Sequence, residues 1–322
     1  MAIRDKTIEF YQKHLDRVSR SFSFCIQQLR SPLRAWVSLS YLMCRILDTG
    51  EDAPWENSEK QEEFFKLFQN GLSSPQEVKK LQNFSKVFPD KVCTAEEKLL
   101  LDASQIFQGY HESPPTVKSI IRDMAVSIAQ GMGYFQSRKV KGILKIGTLS
   151  ELNRYCFFVA GVVGEALSRF IAQVDGDFIL SPKIRLQSFH FGLFLQKVNI
   201  LKDQREDESQ GRFFVPNREQ VFFDLTKNAE NAFEYVQSLS TKNSDYKLFC
   251  AWSFFLGMAT LELMAQNHSG ENINKLSRRE AWKLLENIRQ HIDDNEHLRT
   301  LFLNFKDKCL VETLSSDANL AS

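Results

Sequence analysis

The stretch LFLQKVNILKDQRED, residues 193–207, decides how this chain is read. Leu193, Phe194, Leu195, Val198, Ile200 and Leu201 recur at the three-or-four spacing of an amphipathic helix. Gln196, Asn199 and Asp203 step by three and four, so they form one polar stripe on it. Asp203-Gln204-Arg205-Glu206-Asp207 then crowds three carboxylates into one turn. Upstream, Ser181-Pro182 fits an N-cap followed by proline at the first helical position, so one helix is expected from there to about Asp207. A second stretch, YLMCRILDTGED at residues 41–52, closes on the same pattern, Asp48-Thr49-Gly50-Glu51-Asp52.

Each cluster is Asp-x-x-Glu-Asp near the expected C-terminal end of a helix. Like charges at i and i+4 repel by a few tenths of a kcal/mol, and carboxylates there meet the negative end of the helix dipole. A solvated acidic face explains one such pentad; two copies at the same helical position point to a shared ligand. Hard oxygen donors of this kind suit Mg²⁺, which completes its shell with water and phosphate oxygens. The matching ligand is a diphosphate, whose departure from carbon is eased when its growing charge is neutralised. Cations stand nearby: Arg20, Arg45 three residues before Asp48, Lys202, and Arg212 in the loop after the second pentad. Arg45 fits an intrahelical ion pair equally well.

The rest of the chain supports an all-α fold. Apolar residues make up 43% of 322, enough for a sizeable core, while 14 Gly and 8 Pro are too few for a turn-rich β sandwich. Lys and Arg (41) nearly balance Asp and Glu (40), which excludes recruitment of nucleic acid or anionic lipid by net charge alone, so any anionic ligand needs a local device. The six cysteines include no CxxC pair, so neither a zinc cage nor a disulfide framework is expected, and a reducing cytoplasm is the expected compartment. MAIRDKTIEF carries charge where a signal peptide needs an apolar run. Phe249 to Ala265 is the longest apolar stretch, but Glu262 and its 17 residues favour a buried core helix over a membrane span.

Helices are expected at about 7–30, 31–52 (ended by Pro54), two between 57 and 90, then 94–109, 116–135, 149–173, 181–207, 218–240, 245–267, 277–291 and 293–310. Arg138 to Thr148, with three lysines and two glycines, reads as a loop. No strand, linker or internal repeat is visible. The expectation is one all-helical domain, residues 1–310, with a polar tail at 311–322.

Taken in order, the motifs resemble the squalene/phytoene synthase family. They are Ser19-Arg20-Ser21-Phe22; Tyr41-Leu42-x-x-Arg45-x-Leu47-Asp48-x-x-Glu51-Asp52; Tyr155-Cys156-x-x-Val159-Ala160-Gly161-x-Val163-Gly164; and Leu193-Phe194-Leu195-Gln196-Lys197-x-Asn199-Ile200-x-x-Asp203-x-x-Glu206-Asp207. The resemblance covers about residues 19–216, and Leu193 to Lys197 is similar to the squalene synthase branch. It implies a single-domain isoprenoid-synthase helical bundle around a central cavity, and head-to-head condensation of two farnesyl diphosphates through presqualene diphosphate, with NADPH reducing the product to squalene. Stopping at presqualene diphosphate, or giving dehydrosqualene or phytoene, is the alternative within the family; a non-catalytic helical assembly factor is the alternative outside enzymology.

By the same resemblance, Asp48, Glu51, Asp52, Asp203, Glu206 and Asp207 supply the Mg²⁺ sites, and Ser19, Arg20, Arg45, Gln196, Asn199 and Arg212 seat diphosphate. Tyr155 stands near the proton loss that closes the cyclopropane, with Tyr41 beside the bound diphosphates. A dry pocket must spare the carbocation from water, and Phe22, Phe158, Phe194 and Phe249 are candidates to line it. Lys275 and Arg278 could meet the 2′-phosphate of NADPH, though no glycine-rich dinucleotide fingerprint is present. A water-insoluble product leaves a loose membrane-surface contact open; oligomeric state is not readable. Gly50 departs from the branched apolar residue usual there and is expected to loosen the helix end. Gly161 and Gly164 fit either room for a prenyl chain or close helix packing.

Overall fold

The computed structural model describes residues 5–53, 55, 57–84, 94–266 and 276–320; within them, the side chains of residues 5, 20, 21 and 310–320 lie outside the description, as do Pro54 and Lys275. The fold is all-α, as expected. Its contacts divide into two compact units, Met1–Leu144 with Glu165–Gly176, and Lys145–Gly164 with Asp177–Ser322.

The first unit holds α1 (Asp5–Val18), α2 (Arg20–Ile26), α3 (Leu33–Asp52), α4 (Ser58–Ser73), α5 (Pro75–Asn83), α6 (Thr94–Leu101), α7 (Ala103–Glu112) and α8 (Pro115–Gln136). Helix α3 is its hub, packing against α1, α2, α4, α6, α7 and α8. Leu33, Val37, Leu42, Met43, Ile46 and Leu47 are buried on α3, which is what its apolar spacing requires. Two expected helices are broken by tertiary contacts. The helix over 7–30 stops at Ser19, whose backbone is extended (φ −157°, ψ 111°) and whose side chain hydrogen-bonds Tyr41. The helix over 94–109 stops at Asp102, whose carboxylate lies 3.1 Å from His14 Nε2.

The second unit opens at β1 (Leu144–Lys145) and α9 (Leu149–Cys156). A π-helical turn, Phe157–Gly161, links α9 to α10 (Val162–Val174), which crosses into the first unit at Glu165. There follow α11 (Pro182–Lys202), α12 (Gln204–Ser209), β2 (Arg212–Phe213), α13 (Arg218–Ser238), α14 (Ser244–Gln266), α15 (Arg278–Gln290) and α16 (Asn295–Leu320). Helix α11 is the hub here, against α13, α14, α9 and the π turn. Its N-cap is as read: Ser181 Oγ accepts the Ile184 N–H at 3.2 Å. Its end is not, because the helix breaks at Asp203 (φ −97°, ψ 9°) and α12 begins at once.

The two-residue strands are a correction to the strand-free expectation; two residues are too short to show alternation. Ile146 N–H donates to the Phe213 carbonyl at 2.9 Å, which pins the loop after α12. Helix α16 runs past the expected end at 310 to Leu320. The segments Leu149–Val174 and Thr241–Gln266 are long and apolar enough to cross a membrane, yet 56% and 78% of their most apolar windows are buried inside the protein. The stretch Phe249 to Ala265 is thus core.

Candidate active site

In the first unit the motif residues form one stripe on α3. Tyr41, Arg45, Asp48 and Asp52 step by four, three and four, and all are partly or fully open while Leu42, Met43, Ile46 and Leu47 are buried. Phe22 packs on Tyr41 with ring centroids 5.8 Å apart. Burial pushes the Tyr41 hydroxyl above its ordinary range, against the Ser19 hydrogen bond and Arg45, which lower it. Arg45 Nη1 lies 3.5 Å from Asp48 Oδ2, and its Nη2 pairs with Glu96 of α6. The intrahelical ion pair is therefore found, and Arg45 is held between the pentad and a carboxylate 51 positions on.

Asp48 is the electrostatic focus. Its carboxyl is pushed up to about 7, first by desolvation, then by Asp52 and Glu96; Arg45 opposes the rise. About 37% of its side chain is nonetheless open, the state of a carboxylate closely surrounded by protein but reachable from outside. Glu51 stands apart from this pair. It is 6% exposed, and its Oε1 accepts from Gln136 Nε2 of α8 at 3.1 Å. The pentad thus presents Asp48 and Asp52 and turns Glu51 inward.

The end of α3 is fastened. Trp55 Nε1 (2.7 Å) and Gln61 Nε2 (2.9 Å) both donate to the Gly50 carbonyl, and Gln61 also reaches the Glu51 carbonyl at 3.1 Å. These are the carbonyls a helix C-terminus leaves unpaired. A Cβ on Gly50 would lie 2.1 Å from Cε1 of Phe64. The expectation that Gly50 loosens the helix is overturned: its missing side chain lets the Phe64 ring press on α3 and clamp the pentad.

In the second unit Gln196, Asn199, Asp203 and Asp207 step by three, four and four, each half-open. The pentad straddles a joint, because Asp203 terminates α11 while Glu206 and Asp207 lie in the first turn of α12. The expectation that both pentads end a helix therefore holds for the first copy alone, and the partial positive charge of the α12 N-terminus suits Asp207. Arg212 Nη2 and Nε donate to Asp207 Oδ1 at 2.7 and 3.1 Å. Lys202 Nζ sits 3.2 Å from Asp203 Oδ2 and 3.4 Å from Asn199 Oδ1. Glu206 is exposed.

Tyr155, 4% exposed, stacks on Phe214 with centroids 4.8 Å apart, so the loop carrying Arg212 also holds this tyrosine. It closes α9 just before the π turn, a distortion frequent at functional sites. Gly164 and Gly192 serve close packing: a Cβ on Gly164 would lie 2.0 Å from the Ser188 carbonyl oxygen, and one on Gly192 would lie 2.1 Å from that of Ala160. A Cβ on Gly161 would meet a side chain instead, 2.8 Å from Leu193 Cδ1. Of the two readings of these glycines, helix packing is the one found.

Phe194 and Phe249 are buried core, Phe194 against Phe254 (5.0 Å) and Phe249 against Tyr246 (6.2 Å). Phe158 is half-open, with the Arg154 guanidinium 6.0 Å from its ring. Arg278 is exposed at the start of α15. The Arg20 side chain and Lys275 lie outside the described residues. Among the described residues, no three His, Cys, Asp or Glu side chains gather as a ready-made metal cage; each stripe instead offers two aspartates. Sequence reasoning missed Glu96, Gln136, Phe64 and Phe214, all of which touch motif residues from other elements, and no local pattern marks them.

A family model described as squalene/phytoene synthase matches residues 15–220. A squalene synthase of Mycosarcoma maydis is 28% identical over 296 residues, covering 79% of this chain and 50% of that protein. One from Ganoderma lucidum is 30% identical over 310 residues, covering 84% and 64%. The chain spans about half to two-thirds of the length of the curated relatives it matches. Among solved structures, TcSQS in complex with BPH1237 aligns with a TM-score of 0.75 at 21% identity, covering 97% of this chain and 99% of that one. A dehydrosqualene synthase bound to a ligand aligns with a TM-score of 0.58 at 18% identity, covering 89% and 97%. The fold is therefore that of these helical synthases. With a family match that takes in both pentads, Tyr155 and Arg212, the chain belongs to the squalene/phytoene synthase family.

Proposed function

We propose that this chain is a squalene synthase, a prenyl transferase that joins two farnesyl diphosphates head to head through presqualene diphosphate and reduces the product to squalene. One observation carries the reading: each unit bears two aspartates preceded by diphosphate-competent donors, on the open face of α3 in the first and across the α11–α12 joint in the second.

The donor set fits Mg²⁺. Asp48 and Asp52 lie one turn apart on the open face of α3, desolvation being what chiefly raises the Asp48 carboxyl, against Arg45, and carboxylate oxygens are the ligands a hard divalent ion takes. Asp48, Asp52, Asp203 and Asp207 would hold it; Glu51, engaged with Gln136, and exposed Glu206 are weaker candidates. Bound there, Mg²⁺ supplies charge neutralisation for the leaving diphosphate.

The chain's own residues do the rest. Arg45, Arg212, Gln196 and Asn199 donate hydrogen bonds to diphosphate oxygens, with Ser19, Arg20 and Tyr41 beside them. The C1–O bond of one farnesyl diphosphate breaks, the electron pair leaves with diphosphate, and the double bond of the second attacks the allylic cation. Loss of a proton near Tyr155 closes the cyclopropane. Tyr155 and Phe214 present stacked aromatic faces, which tolerate neighbouring positive charge without attacking it.

NADPH enters through the likeness to squalene synthases alone. Lys275 and Arg278 would meet its 2′-phosphate, Arg278 being exposed at the start of α15, where Ser277 and Glu280 form a reciprocal capping box with the backbone. Incubation with farnesyl diphosphate and Mg²⁺, with and without NADPH, tests the proposal: squalene is expected only with the reductant. Presqualene diphosphate, dehydrosqualene or phytoene under both conditions removes the reductive half. Unchanged turnover in folded Asp48→Ala or Asp207→Ala rejects the metal roles, and no turnover by the native chain favours an assembly role.

A further inference from the structure

Just beyond α8 lies a feature that the catalytic reading does not use. Val140 and Ile143 are paired across a two-residue turn, each N–H donating to the other's carbonyl at 3.0 Å. Val140 is 70% exposed and Ile143 47%, so two β-branched aliphatics flanking the turn face solvent. Arg138 and Lys141 are exposed beside them, with Lys139 half-buried. Tyr134, 40% exposed, stands one helical turn back with the Arg138 guanidinium 5.6 Å from its ring centroid. No acid occurs between Asp123 and Glu151.

The turn is costly for a water-facing loop. Both central residues have positive φ, Lys141 at 53° and Gly142 at 81°. Glycine accepts that freely, whereas turns of this type favour Asn, Asp or Gly at the first position. A lysine there keeps a cation at the tip despite the conformational penalty. Exposed Val and Ile gain nothing in water, but they gain when laid into an acyl boundary. The backbone groups paired across the turn can leave water without an unmet hydrogen bond. An aromatic ring and long cationic stems around an aliphatic pair match the layering of a bilayer interface.

We propose that the Val140–Ile143 turn, with Tyr134, Arg138 and Lys141, is a lipid-contact element that seats this chain on an anionic bilayer surface. The aliphatic pair flanking the turn enters the headgroup layer while the cations, Lys141 at the tip among them, meet lipid phosphates. It does not rest on the catalytic assignment, because it is read without substrate.

The test is co-sedimentation of the full chain with phosphatidylcholine vesicles with and without phosphatidylglycerol, at low and high salt. Binding is expected with the anionic lipid at low salt and should weaken as salt rises. Arg138→Gln with Lys141→Gln should lower the partition coefficient roughly thirtyfold, at about fivefold per cation. Val140→Ser with Ile143→Ser should lower it by about tenfold. Ile179→Ser, at a 75% exposed aliphatic between other elements, should leave it unchanged. Circular dichroism and urea midpoints matching the native chain establish that the variants are folded. Failure of the native chain to bind anionic vesicles, equal binding to neutral ones, or native binding by Val140→Ser with Ile143→Ser overturns the proposal; the last result would mark an ordinary polyanion contact.

Discussion

Asp224→Ala should destabilise this protein more than Lys197→Met, although the two residues belong to one ion pair. Lys197 of α11 is 0% exposed and pairs with Asp224 of α13; its Nζ also donates to Asn228 Oδ1 at 3.0 Å. Asp224 retains 21% of its side-chain surface. Removing the carboxylate leaves an ammonium in the core with one neutral acceptor, and breaking a buried pair in this way costs about 3–5 kcal/mol. Removing the lysine leaves a carboxylate that water can reach and that still accepts from Asn228 Nδ2 at 3.4 Å, and methionine refills the apolar stem, so the cost should be about 1–2 kcal/mol. Lys197→Met with Asp224→Leu should recover most of the larger loss. Urea denaturation of the two single variants and the double variant, read as a double-mutant cycle, measures all three terms. Equal losses in the single variants, or an additive double variant, would refute the account of Lys197 as a charge held in the core by one partner.

Other outcomes follow from the same geometry. Gly192→Ala should destabilise by about 1–2 kcal/mol despite alanine's helix-propensity gain, because its Cβ meets the Ala160 carbonyl oxygen at 2.1 Å and backbone cannot turn aside; a urea midpoint at or above native would contradict this. His14 is held below its ordinary pKa by burial, which outweighs Asp102. The unfolded chain therefore takes the proton first, and stability is lost as pH falls below about 6.5; His14→Gln should flatten that part of the profile. Asp48 has the opposite sign. Its folded carboxyl titrates near 7 against 3.8 unfolded, so the metal-free fold gains stability as pH falls from about 7 towards 4, and Asp48→Asn abolishes the gain. Mg²⁺ must displace that proton, so its stabilising effect in thermal melts should weaken below about pH 7; an effect equal at roughly pH 6 and pH 8 would count against Asp48 as a ligand.

Helix positions were legible where period and capping chemistry agree, as at Ser181-Pro182 and in the helix expected at 116–135 and found at Pro115–Gln136. They failed where a distant side chain decides the backbone. Ser19 leaves the helix towards Tyr41, and Asp102 interrupts another beside His14, neither with a local breaker. The Asp203 joint is of the same kind. The open faces of the candidate site were legible as spacing, at 45, 48 and 52 and at 196, 199 and 203; Asp207 escapes that rule because the helix breaks at Asp203. What positions them was not: Glu96 meets Arg45 and Gln136 meets Glu51 across 51 and 85 residues. Gly50 misled because a glycine at a helix end reads as freedom until Phe64 is seen filling its place.

The residues that fix each motif lie next to its open polar residues in sequence and on the other side of the helix. Gln196 is half-open while Lys197, next to it on α11, is fully buried and paired with Asp224 of α13. Asp48 and Asp52 are open while Gly50 and Glu51 between them are gripped by Phe64, Trp55, Gln61 and Gln136. Successive residues of a helix are turned by about 100°, so one short motif can hold both a ligand and the anchor that aims it. This division explains why the motifs are dense runs and not scattered single residues. On the proposed roles of Asp48, Asp52 and Gln196, changing Lys197, Phe64 or Gln61 should mimic loss of the neighbouring residue without touching a donor. Because a displacement of about 1 Å costs roughly a hundredfold in rate, such variants should lose kcat far more than they raise KM. Variants of Gln196 or Arg45, which lack a direct donor, should show the loss in KM as well.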